Sequence, residues 1–284
     1  MALYRKAIRD ENDGVPFQYV ICVGDLVNKG PFSAKVVRQV RLAPNWFSVR
    51  GNHDDGALQA ALGDEKQLKK KKYEWIVQQQ YNNEKSDNNQ DSREDPVLLS
   101  DEDVTWLSEL PYTIRIPKAY MGGGDDNDDE DEDTLIVHAG LEQEIEDMII
   151  MRDLTVKCDK HGNFKHYNAK EKGKKKAMVA SSKKEARELC DSRITWASAW
   201  FGPERVVFGH NAKRGLQLYD KGYAIGLDTG AVYGGQLTGL ILPGRKLVSV
   251  QSQEYEAKGG DKSKKEKNAK EDDGGSRSND DEGR

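Results

Sequence analysis

Along this chain, short runs of β-branched and apolar residues end abruptly in a small residue beside a polar one, four times over. The runs are YVICVGD ending at Asp25, WFSVRGNHD containing Asn52 and His53, TLIVHAG containing His138, and RVVFGH ending at His210. Each run is too short for a helix and suits a buried strand, so the polar residue falls on the loop leaving a sheet edge. Glycine beside each polar residue permits tight turning and close backbone approach. Residues 54–80 read as helical, with Leu58, Ala61, Leu62, Tyr73, Trp75 and Ile76 available for a buried face. LSDEDVTWLSELP starts with a Ser100 cap and Asp103 three residues later, carries Val104, Trp106, Leu107 and Leu110, and stops at Pro111, which predicts a short helix packed on a sheet. YTIRIP reads as a strand, and YAIGLDTG, LTGLILP and KLVSVQ read as consecutive closing strands at hairpin-like spacing.

Composition limits how much of the chain can be ordered. With 284 residues, 36% hydrophobic and 33% charged, one sizeable core plus solvated appendages is the expected organisation. The expected domain is 1–252, interrupted by low-complexity insertions near 81–95, 119–133 and 157–191, and followed by a disordered charged tail, 253–284. The net charge of −5 conceals blocks of opposite sign, Lys69 to Lys72 and Lys174 to Lys176 against Asp125 to Asp133, so no broad basic surface is implied and nucleic acid is not an expected partner. The acidic run lacks the glycine and terminal glutamate of an EF-hand and reads as a solvated loop. His161 and His166 lie in the lysine-rich insertion, in a polar setting where no strand is expected to fix them as ligands. Cys22, Cys158 and Cys190 show no CxxC spacing, which suits a reducing compartment, and Cys22 reads as a core residue. No secretory h-region and no membrane-length apolar run is present, so the expectation is a soluble, cytoplasmic protein without a membrane partner.

The chemistry gathers at the four strand ends. Three of the five histidines, His53, His138 and His210, stand there, beside Asp25 and Asn52. Taken in order, GDLVNKGP (from Gly24), RGNHD (from Arg50), VHAGL (from Val137), MRDL (from Met151), VVFGHNAKRGLQ (from Val206) and GLDTGAVYGG (from Gly226) resemble the calcineurin-like metallophosphoesterases of the phosphoprotein phosphatase superfamily. The branch that looks nearest is that of the symmetrical diadenosine-tetraphosphatase-like phosphatases, whose relatives include polyphosphatases. The resemblance implies an α/β (α+β) fold, a sandwich of two mixed β-sheets flanked by helices, with the active site where strand-end loops converge. It also implies that Asp25 is a carboxylate bridging two metal ions, that Asn52, His138 and His210 complete one metal site, and that the cofactors are divalent Mn, Zn or Fe, as the mixed N/O donor set suits. His53 matches the proton donor to the leaving oxygen. Asn28 stands where an aspartate orients that histidine in many protein phosphatases, and its amide oxygen is expected to accept the Nδ1 hydrogen bond. Lys29, Arg152 and Tyr233 match substrate-binding positions, and Asp228 looks like a residue holding a neighbouring loop or histidine.

One family motif, Gly-Asp-x-His-Gly on the first strand, has no counterpart in the sequence, and LYRKAIRDENDG reads like the helix and loop that follow it. The expectation is a chain short of its first strand and of the ligands of one metal site, by truncation or gene misprediction, with room for a lost targeting segment. The expected function is hydrolysis of phosphoanhydrides, dinucleoside polyphosphate or polyphosphate, by in-line attack of hydroxide generated at the metal site. Two alternatives stand beside it: a noncatalytic relative that binds one metal with a phosphate ligand or protein partner, and a phosphoprotein phosphatase. Oligomeric state is not legible.

Overall fold

The computed structural model describes residues 1–76, 99–120, 132–141, 149–158, 164–167, 193–200, 203–219 and 223–253. Most of the three expected insertions and nearly all of the expected tail lie outside these residues, as do His161 and Cys190.

The chain opens with helix α1 (Ala2–Glu11), then strand β1 (Val20–Cys22), helix α2 (Ser33–Leu42) and strand β2 (Trp46–Ser48). β1 and β2 pair in parallel, with Val20 opposite Trp46 and Cys22 opposite Ser48. All three β1 residues are half-buried, so Cys22 lines the margin of the core rather than its interior. The crossover helix α2 buries Ala34, Val37 and Val40 along one stripe. It stops at Ala43, whose extended backbone is the conformation that the following Pro44 imposes.

Helix α3 (Asn52–Ala61) begins immediately after Gly51, followed by the single-turn helix α4 (Glu65–Leu68) and a 3₁₀ turn, Lys71–Tyr73. The sequence pattern predicts one long helix from residue 54 to 80. The described part is broken at Gly63, whose φ of 90° takes the backbone left-handed and ends the helical hydrogen bonding. Of the predicted buried face, Leu58, Tyr73 and Ile76 are buried, whereas Leu62 at the break is exposed. Helix α5 (Asp101–Glu109) carries the expected capping box: Ser100 Oγ accepts the Asp103 N–H, and the Asp103 carboxylate accepts the Ser100 N–H. α2, α3 and α5 enclose one cluster containing Val37, Ala57, Leu58, Ile76 and Leu107.

The main sheet has five strands: β3 (Thr113–Ile116), β4 (Thr134–Val137), β8 (Arg205–Phe208), β10 (Ala224–Gly226) and β9 (Gln217–Tyr219), in the spatial order β3-β4-β8-β10-β9. β4, β8 and β10 run parallel, and β3 and β9 are antiparallel edges. Every β8 residue is buried because both faces are covered. Val206 and Phe208 pack with Trp196 and Ala224 on one face, while Val207 meets Val49, Ile136 and Ile225 on the other. β5 (Asp153–Cys158), β6 (Phe164–Tyr167) and β7 (Arg193–Thr195) form a three-stranded antiparallel sheet. His166 therefore stands on a strand, opposite Val156, contrary to the expectation of a strandless insertion; cross-strand pairing, invisible in the local polar composition, overrides it. The closing hairpin β11 (Gln236–Ile241) and β12 (Lys246–Gln251) pairs as expected, but in its own two-stranded unit packed against α1, whereas the first of the three predicted closing strands, β10, lies in the main sheet. Among the described residues no helix is long and apolar enough to cross a membrane.

Candidate functional site

Two parallel strand pairs aim their carboxyl ends at one place. β1 leads into the loop carrying Asp25, and its neighbour β2 into Asn52 and His53 at the start of α3. β4 is followed directly by His138, and its neighbour β8 two residues on by His210. Loops leaving adjacent parallel strands emerge side by side, so residues far apart in sequence meet there. A hydrogen bond from the Gly209 N–H to the His138 carbonyl, 2.8 Å, ties the last two loops together.

Glycines make the convergence sterically feasible. A Cβ on Gly24, where φ is 85°, would come within 2.8 Å of His138 Nδ1 and 2.9 Å of the Gly51 nitrogen, and one on Gly51 would overlap the Asp25 backbone nitrogen and carboxylate. Asp25, Asn28 and Lys29 all adopt left-handed backbone within one tight loop, conformations that few non-glycine residues hold without support from their surroundings. Part of that support is Asp54, wholly buried, whose carboxylate accepts the N–H groups of Asp25 (2.8 Å), Leu26 (2.8 Å) and Gly51 (2.9 Å). Burial, with the Asp25 charge adding to it, pushes the Asp54 carboxyl up to about 7 despite those donors.

At the centre lies His138, 1% exposed. Its Nδ1 stands 2.8 Å from the Val23 carbonyl oxygen, which can only accept, so Nδ1 carries the proton and Nε2 presents a lone pair. That Nε2 faces Asn52 Oδ1 at 3.2 Å, His210 Nδ1 at 3.1 Å and Asp25 Oδ1 at 3.3 Å. The ligand atoms of Asp25, His138 and His210 all lie within 4.8 Å of one another. Three acceptor atoms thus converge on one point, joined by His210 Nδ1 as a fourth when that ring carries its proton on Nε2, an arrangement that repels itself unless a cation or a proton sits among them. The pKa directions carry the same signature. Burial would lower His138, yet the Asp25 carboxylate beside it, the Val23 carbonyl and Asp54 together outweigh burial and raise it. Burial would raise Asp25, but His138 and the His53 N–H bond hold it well below the usual carboxylate range. His210 is pushed down to about 3 by burial, then by His138 and Arg152, with the Asp25 carboxylate and the Ile150 backbone opposing the fall. Two imidazoles, one amide oxygen and one carboxylate are the borderline donor set that first-row divalent ions prefer, so these residues fit such an ion.

The four strand ends line the floor of a cleft of about 800 Å³, together with His53, Lys29, Arg152, Lys213 and Tyr233. The His53 backbone N–H donates to Asp25 Oδ1 at 2.9 Å, and burial pushes its ring down to about 4, with Asp25 opposing and Lys72 and Lys29 adding to the fall. Tyr233 is 63% exposed, and Lys29 Nζ donates to its hydroxyl at 3.3 Å, so the ring belongs to the cleft rim rather than the core. Arg152 is exposed and also lines the cleft. Its carbonyl accepts from Arg214, whose other arm pairs with Asp153 at 2.7 Å. Asp228 accepts the Gly230 N–H at 3.2 Å, a bond that holds its own loop.

The structure corrects the expectation for Asn28. Its Nδ2, not its oxygen, faces His53 Nδ1 at 2.8 Å, because Oδ1 is taken by the indole N–H of Trp75 at 2.9 Å. Sequence reasoning assigned Trp75 to a helix face and gave Asp54 no role, although the aspartate was visible in RGNHD. Trp75 carries no local signal, since its partner lies 47 residues away.

Similarity to known proteins agrees with this geometry. The chain is 27% identical to the symmetrical bis(5'-nucleosyl)-tetraphosphatase of Janthinobacterium sp. (strain Marseille), over 86% of this chain and 89% of that protein. It is 26% identical to the symmetrical enzyme of Acidovorax ebreus (strain TPSY), over 81% and 85%. The crystal structure of a candidate diadenosine tetraphosphatase superposes with a TM-score of 0.53 at 30% identity, covering 87% of this chain and 86% of that one. The calcineurin-like phosphoesterase family model matches residues 1–225. Sequence, strand-end geometry and family match coincide: this chain belongs to the calcineurin-like phosphoesterases, a family of metal-dependent phosphohydrolases.

Proposed function

We propose that this protein hydrolyses phosphoanhydrides, with dinucleoside polyphosphates or inorganic polyphosphate as the substrate class. The observation that carries this reading is the convergence of the Asp25, Asn52, His138 and His210 ligand atoms at the floor of a cleft rimmed by Lys29 and Arg152. A divalent ion held by those four residues supplies Lewis acidity toward phosphoryl oxygens and toward water. Lys29 and Arg152 neutralise phosphate charge at the rim, Arg152 through a fork that matches two phosphate oxygens and Lys29 as a point charge. His53 lines the cleft with Nδ1 turned inward to Asn28, leaving Nε2 for the leaving oxygen. A cleft of this size is in the range that takes a ligand larger than a single phosphate. The names of the Janthinobacterium and Acidovorax relatives point to the same class.

The test is product formation by the full chain with Mn²⁺ or Zn²⁺, comparing bis(5'-adenosyl) tetraphosphate, inorganic polyphosphate and a phosphoserine peptide. Turnover of an anhydride that is lost in His53→Ala supports the reading, and a clear phosphopeptide preference overturns it. A second reading, a phosphate-compound binder without turnover, draws on one observation: among the described residues a single cluster of His, Cys, Asp or Glu groups is placed to hold an ion. Binding of the tetraphosphate with one bound ion and no products would favour that reading.

A further inference from the structure

Asn28 is held at several points. It is 7% exposed, its left-handed backbone (φ 68°) donates its N–H to Ser33 Oγ at 3.0 Å, and both ends of its side-chain amide are engaged. An amide side chain has two chemically different ends of nearly equal shape, so what decides its orientation is the neighbour that can play only one role. Trp75 is that neighbour. An indole N–H donates and never accepts, so the Asn28 atom 2.9 Å away must be the oxygen. Nδ2 then points at His53 Nδ1, 2.8 Å away, and an amide nitrogen only donates. His53 Nδ1 must therefore carry its lone pair toward Asn28, and the ring proton resides on Nε2. Turning the amide over would set donor against donor at the indole in a buried place, an unmet hydrogen bond that the fold penalises.

We propose that Trp75 is a positioning residue which, through the Asn28 amide, fixes His53 as the Nε2–H tautomer, so that the cleft is offered a neutral N–H donor suited to phosphoanhydride rather than alkyl phosphate leaving groups. The leaving-group part rests on the reading of His53 given above; the tautomer part does not. In anhydride cleavage the water oxygen bonds to phosphorus, the bridging P–O bond breaks with its electron pair on the departing phosphate, and a water proton goes to solvent. His53 keeps its own proton and only hydrogen-bonds the departing oxygen. A departing phosphate, with a second pKa of about 6, is stable as an anion near neutral pH and needs no more than this. An alkoxide requires a full proton, which a neutral imidazole locked at Nδ1 gives up poorly.

The tautomer is read directly by long-range proton–nitrogen NMR of the ¹⁵N-labelled full chain at neutral pH without added metal. The wild type is expected to show His53 Nδ1 as pyridine-like and Nε2 as pyrrole-like. Trp75→Phe, which keeps the ring but removes the donor, is expected to mix the two tautomers, and Asn28→Asp to move the proton to Nδ1. A protonated Nδ1 in the wild type overturns the proposal, as does an unchanged tautomer in folded Trp75→Phe; should that variant not fold, the wild-type spectrum and Asn28→Asp decide. The second readout is the ratio of kcat/KM for bis(5'-adenosyl) tetraphosphate to that for an alkyl phosphate. Trp75→Phe and Asn28→Asp are expected to lower this ratio by about 3- to 10-fold, the range of one hydrogen bond. A purely structural role for Trp75 lowers both substrates together and leaves the ratio unchanged, which refutes the selectivity. Absence of turnover on every substrate sinks the phosphohydrolase reading, while the nitrogen spectrum still decides the tautomer.

Discussion

Asp54 serves three backbone donors at once, and each of the three belongs to a loop that places a side chain in the cleft. Replacing it by alanine leaves the Asp25, Leu26 and Gly51 N–H groups buried and unmet, at about 1–3 kcal/mol each before relaxation. We expect Asp54→Ala to lose about 3–5 kcal/mol in urea unfolding. Asp54→Asn is not expected to restore the loss, because an amide offers one oxygen and turns its nitrogen toward an N–H. A midpoint unchanged from wild type would show that water can replace the carboxylate. At this scale the sequence was informative about residue types and silent about directions. Asp25, Asn52, His138 and His210 were legible as a group from the repeated strand-end pattern. Which end of the Asn28 amide meets His53 was not, because the decision belongs to an indole donor 47 residues away.

Helices α2 and α5 are joined by a charge clamp rather than by apolar contact alone. The Asp103 carboxylate, with no exposed side-chain surface, receives Arg38 at 2.8 Å, Arg41 at 2.7 Å and the Ser100 N–H at 3.0 Å. Burial alone would raise its pKa, but the Ser100 N–H, Arg41 and Arg38 together outweigh burial and hold it below the ordinary value. A carboxyl with a depressed folded pKa contributes stability above its unfolded pKa of about 3.9 and loses it as pH falls through the folded value. Asp103→Ala is therefore expected to cost about 3–5 kcal/mol at neutral pH, and the gap to wild type should shrink below about pH 4. Denaturation midpoints measured from pH 7 to pH 3 check this; a gap independent of pH would mean the clamp is not electrostatic. The capping half of this element was readable from Ser100 and Asp103 three residues apart, whereas its arginine half was not, since α2 lies some sixty residues earlier.

For the molecule as a whole, the cluster joins two structural units, the β1–β2 pair through Asp25 and Asn52 and the five-stranded sheet through His138 and His210. An ion bound there would tie the units together and stabilise the native state by mass action, about 2.7 kcal/mol at a hundredfold excess over its Kd. We expect thermal unfolding to shift upward with Mn²⁺ or Zn²⁺ in wild type and not in His138→Ala; equal shifts in both would place the ion elsewhere. The sequence by itself determined where the apolar runs end, which glycines flank them and how α5 starts, because these depend on side-chain chemistry within a few residues. Only the tertiary structure decided that the predicted long helix breaks at Gly63, that β10 joins the main sheet while β11 and β12 pair apart, and that Trp75 governs Asn28. Those outcomes depend on partners brought close by the fold, and a donor or a strand edge has no preferred partner until packing supplies one.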